Sequence, residues 1–224
     1  MQSVEGAVIA CAGLGSRLGM GLPKCLIEVD GKTILSRLIE TLRPLVPRIH
    51  VVIGYREELV AEYCARYHRD VVLVRNPQFR ETNTAFSILL GSLGFSSKVL
   101  YLDGDLIVEK ESIAHFVRMA GKFPYLIGVT EAKSENAVLA LIEGQGKKNV
   151  KVSAFGRNLD SRYEWANVFV GPPACLADAS NYVFEVLEPS LPLPACFLQL
   201  HEVDTPSDLR AAELFLGSYD SGKE

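Results

Sequence analysis

The chain has 224 residues, 48% of them hydrophobic and 22% charged, with a formal net charge of −4 at pH 7. That suits a single soluble globular domain with a sizeable core, and it excludes a nucleic-acid surface built on excess basic charge. Glu5 stands where a signal peptide would be basic, no run approaches the ~18 apolar residues of a membrane span, and Cys11, Cys25, Cys64, Cys175 and Cys196 sit at neither metal nor redox spacing. A cytoplasmic protein with buried, reduced thiols and no membrane partner is the expectation.

In chain order, the apolar run Val4–Cys11 reads as a buried parallel strand ending in a glycine-rich turn. Lys32–Leu45 has helical spacing and is closed by Pro44 and Pro47; His50–Ile53 is a strand broken by Gly54. Glu57–Tyr67 is a helix, Val71–Val74 a strand, Asn83–Leu93 a helix and Val99–Leu102 a strand running into Asp103-Gly104-Asp105. Such alternation implies right-handed βαβ units and a parallel sheet covered on both faces. After a helix over Ile113–Ala120 the rhythm changes to strands over Tyr125–Thr130, Val138–Ile142, Val150–Phe155 and Trp165–Val170, with turns marked by Gly144, Gly146 and Asn158. A helix over Ala177–Leu187, a strand over Cys196–Val203 and a helix over Ser207–Leu216 complete the pattern. The fold class expected is α/β: one domain over residues 1–224, with a Rossmann-like mixed, mostly parallel sheet, helices on both faces and an antiparallel-rich segment over 121–200. Residues 1–110 form its nucleotide-binding half, and 201–216 return a strand and helix to it.

Ala12-Gly13-Leu14-Gly15-Ser16-Arg17-Leu18 follows the first strand, and Pro23-Lys24 follows that. Glycines there let backbone N–H groups ring a phosphate, and Arg17 and Lys24 add charge where a triphosphate would lie. A dinucleotide fingerprint fails because its third glycine falls on Leu18, and the second strand ends in Gly54-Tyr55 rather than an acid. A P-loop ending in Gly31-Lys32-Thr33 fails because Leu26 stands where its first glycine belongs. A bare turn leaves Arg17 and Lys24 unexplained.

The stretch AVIACAGLGSRLGMGLPK from Ala7 to Lys24 resembles the A-x-G-x-G-[ST]-R-x…P-K motif of the sugar-1-phosphate and related nucleotidyltransferases. Its short loop between Arg17 and Pro23 is similar to that of cytidylyltransferases of isoprenoid and inositol-phosphate pathways. Asn76 to Ser87 resembles the N-x-x-[YF]-x-x-T-N segment of bacterial phosphocholine and phosphonate cytidylyltransferases, as does Val52-Ile53-Gly54-Tyr55. The resemblance implies the nucleotide-diphospho-sugar transferase fold and an enzyme that joins a nucleoside monophosphate to a small acceptor, releasing pyrophosphate. It implies Mg²⁺ held by Asp105 and by Asp204 of His201-Glu202-Val203-Asp204-Thr205-Pro206-Ser207-Asp208-Leu209. It makes Ala12, Gly13, Gly15, Ser16, Arg17, Lys24, Asn76, Thr82, Asn83 and Asp103 the nucleotide-binding set, with Arg17, Lys24, Asp105 and Asp204 catalytic.

The implied partners are an NTP, with CTP favoured, and a phosphorylated or phosphonylated acceptor. Sugar-1-phosphate uridylyl or guanylyl transfer is the alternative reaction, and a nucleotide-binding regulatory module the non-enzymatic one. The acceptor side expected from residue chemistry is Lys133 with Tyr163-Glu164-Trp165; Lys151 is a second candidate cation, and Asn136-Ala137 stands where an aromatic would serve a choline. His201 reads as a strand residue, because magnesium does not favour imidazole.

Overall fold

The computed structural model describes residues 3–15, 21–133, 137–145 and 148–220. Ser16, Arg17, Asn136 and the Gly146 turn lie outside these described residues. From the N-terminus the elements are β1 (Gly6–Cys11), β2 (Glu28–Val29), β3 (Lys32–Thr33), α1 (Ile34–Leu42), β4 (Ile49–Ile53), α2 (Glu57–Tyr67) and β5 (Val72–Arg75). Next come α3 (Thr84–Ser92), β6 (Val99–Asp103), β7 (Leu106–Val108), α4 (Lys110–Ala120), β8 (Leu126–Glu131), β9 (Leu139–Gln145), β10 (Lys148–Gly156) and β11 (Tyr163–Gly171). The chain closes with α5 (Val183–Leu187), β12 (Leu193–Phe197), β13 (Leu200–Glu202) and α6 (Pro206–Asp220).

Nine strands form one sheet in the order β5-β4-β1-β6-β11-β8-β12-β10-β9. The first four are parallel, as they must be when a helix-containing crossover joins each to the next in sequence. Past β6 the sheet is mixed: β11 runs antiparallel to β6 and β8, β12 is parallel to β8, and β10 is antiparallel to β12 and β9. β1, β4 and β6 are mostly apolar and buried because both faces are covered, whereas the edge strand β5 is partly exposed. Ala7, Ile9 and Cys11 face one core with α1 and α4, whereas Val8 meets Val52 and α3's Ile88 in the other.

Three local expectations are corrected. The first helix starts at Ile34, because Lys32-Thr33 pairs with Glu28-Val29 and Thr33 then caps the helix, its side chain accepting from Ser36 N at 3.1 Å. The helix expected over Ala177–Leu187 forms only over Val183–Leu187. Ahead of it, Ser180 donates to Asp178, and the carbonyls of Ser180 and Asn181 accept from Asn83, so that backbone is engaged sideways. The strand expected over Cys196–Val203 is two strands, β12 in the large sheet and β13 in a ribbon with β7. The chain changes partner at Leu198-Gln199, where Leu198 N bonds to Val129 O and Gln199 N to the Ser112 hydroxyl. That switch carries the chain out of the sheet and over the C-terminal end of β6.

Candidate active site

Three segments that are far apart in sequence end at the same edge of the sheet. β1 ends in the Ala12–Gly15 turn, where Gly15 has φ +57° and a Cβ on Gly13 would face open space. β6 ends in Asp103-Gly104-Asp105. Gly104 N bonds to Ala10 O at 2.9 Å, and a Cβ there would lie 2.4 Å from the Cys11 sulfur, so only glycine lets this turn cross β1 so closely. β13 runs into Asp204, and Val203 N bonds to Asp105 O at 3.0 Å, tying the third segment to the second. The Asp208 carboxylate accepts from the backbone N–H groups of Asp204 and Thr205 and from the Thr205 hydroxyl, fixing the turn that opens α6.

Lys24 joins the three. Its Nζ donates to Asp105 Oδ2 at 2.5 Å and to Asp204 Oδ1, partners 81 and 180 residues away. Burial alone disfavours the ammonium, but the two carboxylates outweigh it and raise the Lys24 pKa, so the group stays charged. Asp105, Glu202 and Asp204 each offer an oxygen within 4.8 Å of the others. Asp105 Oδ1 is buried and finds no hydrogen-bond partner among the described residues. A buried, unpartnered carboxylate oxygen beside two more carboxylates is the donor set a hard divalent cation takes, so the residues fit such an ion. His201 is not in the cluster; its ring packs toward Phe215.

Two neighbouring acids respond to this crowding. Desolvation first, then the charge of Asp105, push the Asp103 carboxyl well above the usual carboxylate range. The same causes, with Asp204 added, push Glu202 up to about 8. Glu202 in the folded, metal-free protein thus keeps a proton that the unfolded chain gives up near 4.5, and folding stability falls as pH rises from about 4.5 to 8. In EDTA, Glu202→Gln is therefore expected to gain Tm relative to the parent steadily across that window. A Tm difference that stays flat between pH 5 and 8 would refute the assignment.

The Gly13–Gly15 turn, Lys24, Asp103 and Asp105 line a cavity of about 400 Å³, closed on the other side by Phe79, Arg80, Thr82, Asn83 and Tyr182. Gly54 makes that closure possible, since a Cβ there would lie 2.7 Å from Phe79 and 3.0 Å from Ala12. Thr82 and Asn83 reach the cavity; Asn83 is also the N-cap of α3, accepting from Phe86 N, as the residue type suggests. Asn76 does not line it. It is fully buried, donating to Thr82 Oγ1 and Ser87 Oγ while its own oxygen accepts from Gln78 N, so it shapes the loop from behind. Asn76→Ala strands those partners in the interior and is expected to lower stability by about 1–3 kcal/mol in urea melts. An unchanged midpoint would show the loop to be held by other contacts.

Beyond Asp103 and Tyr182, which border both spaces, a cavity of about 620 Å³ adjoins the first. Lys133, Glu164 and Trp165 line it, as the acceptor-side expectation has it. Lys133 is not aimed outward, however: its Nζ donates to Leu200 O at 3.0 Å. Tyr163 is corrected: its ring packs on Phe197 at 4.9 Å and is not part of the wall. Lys151 lies exposed on β10, away from both cavities. Sequence reasoning missed Glu202, Asn167, Arg157 and Tyr182 here and Arg80 in the first cavity. Glu202 could have been found from its place two residues before Asp204, at the end of the strand that leads into that acid. The other four carry no local signal.

The geometry agrees with relationships to known proteins. Residues 7–185 match the family model described as the MobA-like NTP transferase domain. The chain is 30% identical over 196 residues to the bifunctional protein GlmU of Methanococcus vannielii, covering 83% of this chain and 43% of that protein. It is 30% identical over 241 residues to the bifunctional IPC transferase and DIPP synthase of Rubrobacter xylanophilus, covering 98% and 54%. The chain thus spans about half the length of the curated relatives it matches. Its fold is shared with the inositol-1-phosphate CTP transferase from T. maritima, at TM-score 0.77 and 20% identity over 96% of both chains. The CTP:phosphocholine cytidylyltransferase LicC of Streptococcus pneumoniae gives TM-score 0.73 and 19% identity over 96% of this chain and all of that one. No described helix is long and apolar enough to cross a membrane. With a family match that runs from the first strand to the short helix beside both cavities, the chain belongs to the MobA-like NTP transferase domain family.

Proposed function

We propose that the protein transfers a cytidylyl group from CTP to a small acceptor that carries a phosphate or phosphonate, releasing pyrophosphate. The observation that carries this is Lys24 bridging Asp105 and Asp204 beside the glycine turn: Lys24 and Asp105 line the cavity of about 400 Å³, and Asp204 and Glu202 line the adjoining one. CTP is favoured because the T. maritima and S. pneumoniae proteins are named for it; Thr82 and Asn83, held by protein partners, shape the wall facing the turn.

In this reading the Gly13–Gly15 backbone receives the triphosphate, with Arg17 as its leaving-group cation. The acceptor enters the larger cavity and presents an oxygen in line with the bond to pyrophosphate. That oxygen already bears charge at neutral pH, so no general base is needed, which suits cavities with no nucleophilic serine, cysteine or histidine arrangement among the described residues. The acceptor oxygen bonds to the α-phosphorus, the bond from that phosphorus to the bridging oxygen breaks, and pyrophosphate leaves with the electron pair. Lys24 lies where charge accumulates on the α-phosphate oxygens. Mg²⁺ held by Asp105, Asp204 and Glu202 would supply further neutralisation of the phosphates when bound.

Sugar-1-phosphate nucleotidyl transfer is the second reading, favoured by a fold shared with a UDP-glucose pyrophosphorylase and by an acceptor cavity of about 620 Å³. Pyrophosphate release with each of four NTPs against phosphocholine, a phosphonate, inositol phosphate and hexose-1-phosphates separates them. CTP with a non-sugar phosphate or phosphonate supports the proposal. UTP or GTP with a hexose phosphate supports the second reading, and nucleotide binding without release under any pairing leaves a regulatory module.

A further inference from the structure

Beside the acceptor cavity β11 is irregular in a way its apolar sequence does not announce. Its register with β8 is Trp165↔Val129 and next Phe169↔Ile127, so four steps on β11 face two on β8. The extra residues bulge at Ala166–Val168. Gly128 opposite accommodates them, since a Cβ there would lie 2.8 Å from Val168 O. Inside the bulge Asn167 takes φ +54°, a left-handed backbone that asparagine tolerates better than most residues. The result is that Asn167 lies on the cavity wall, and its Nδ2 donates to Glu202 Oε2 at 3.3 Å.

We propose that Asn167 is a positioning residue for the divalent ion: the bulge aims its amide at Glu202 and holds that carboxylate against Asp105 and Asp204. This rests on the reading of those three as the metal-binding group. The amide donates to one Glu202 oxygen and leaves the other for the cation. It also selects an orientation for a side chain that three acids and an ammonium would otherwise pull in different directions. In a regular strand this position would pair with both neighbours and the Asn167 amide would point elsewhere.

The test is Mn²⁺ binding to the metal-free protein without substrate, read by electron paramagnetic resonance, for the parent, Asn167→Gly, Glu202→Gln and the double variant. Glycine keeps the left-handed backbone and removes only the amide. Asn167→Gly is expected to weaken Mn²⁺ about tenfold, with its thermal transition retained, as loss of a hydrogen bond behind a ligand typically does. In the Glu202→Gln background the same change is expected to shift affinity less than about twofold, because the carboxylate it acts through is gone. Parent-like affinity in Asn167→Gly overturns the inference, as does an equal tenfold loss with and without Glu202. A parent protein that binds no Mn²⁺ is a different result: it overturns the metal reading itself, and the inference with it.

Discussion

Replacing Lys24 by alanine is expected to lower kcat for pyrophosphate release by about 10²–10³-fold, the usual loss on removing one preorganised charge from a transition state. The reason is position. Lys24 follows Pro23 on a short turn, and its ammonium is held by Asp105 and Asp204 at the wall of the cavity that the glycine turn opens into. The two acids keep it protonated against the cost of burial, so it brings full charge to the phosphates at neutral pH. Lys24→Arg is expected to recover little, since a planar guanidinium cannot reproduce a point charge shared between two carboxylates. Removing Lys24 also leaves neighbouring acids without their counter-ion. A modest loss of Tm at pH 8, reversed by divalent ion, is the expected side effect. Turnover within a few-fold of the parent would remove Lys24 from the chemistry.

The second large effect is expected at Asp105. Asp105→Asn preserves shape and removes charge, and turnover at 1 mM Mg²⁺ is expected to fall at least about 10²-fold. Asp105 Oδ1 is buried and unpartnered among the described residues, Oδ2 meets Lys24, and its backbone carbonyl receives Val203 N, so the variant alters charge without disturbing the turn. Partial recovery by raising Mg²⁺ or substituting Mn²⁺ distinguishes a ligand from a residue that merely anchors Lys24. If added metal changes nothing and Lys24→Ala/Asp105→Asn behaves like Lys24→Ala alone, Asp105 acts only through the lysine.

Much of the N-terminal half could be read in the sequence because its determinants are local. An apolar strand, a glycine turn and a Pro-Lys pair lie within Ala7–Lys24, and Glu57–Tyr67 forms the helix its spacing predicts. Asp103-Gly104-Asp105 follows its strand as expected because Gly104 admits the crossing over β1. The larger cavity was harder to read because its walls are assembled from distant strands. Arg157 ends a hairpin, Tyr182 precedes a helix that local pattern overextended, and Asn167 sits in a bulge visible only in the pairing of β11 with β8. Asn76 shows the opposite failure. Its motif was plain, but whether the amide faced ligand or loop depended on Ser87, eleven residues on. Lys24's reach across 180 residues to Asp204 is a property of the fold, and residue type alone offered only the suggestion.

Crystals soaked with Mn²⁺ and CTP, measured for anomalous scattering, decide whether the glycine turn and the two distant aspartates form one site. One strong peak bonded to the Asp105 and Asp204 carboxylates and to a triphosphate oxygen, with the phosphates along Gly13–Gly15, is the expected result. A peak elsewhere, or nucleotide bound away from that turn with no ion at these acids, would contradict the account.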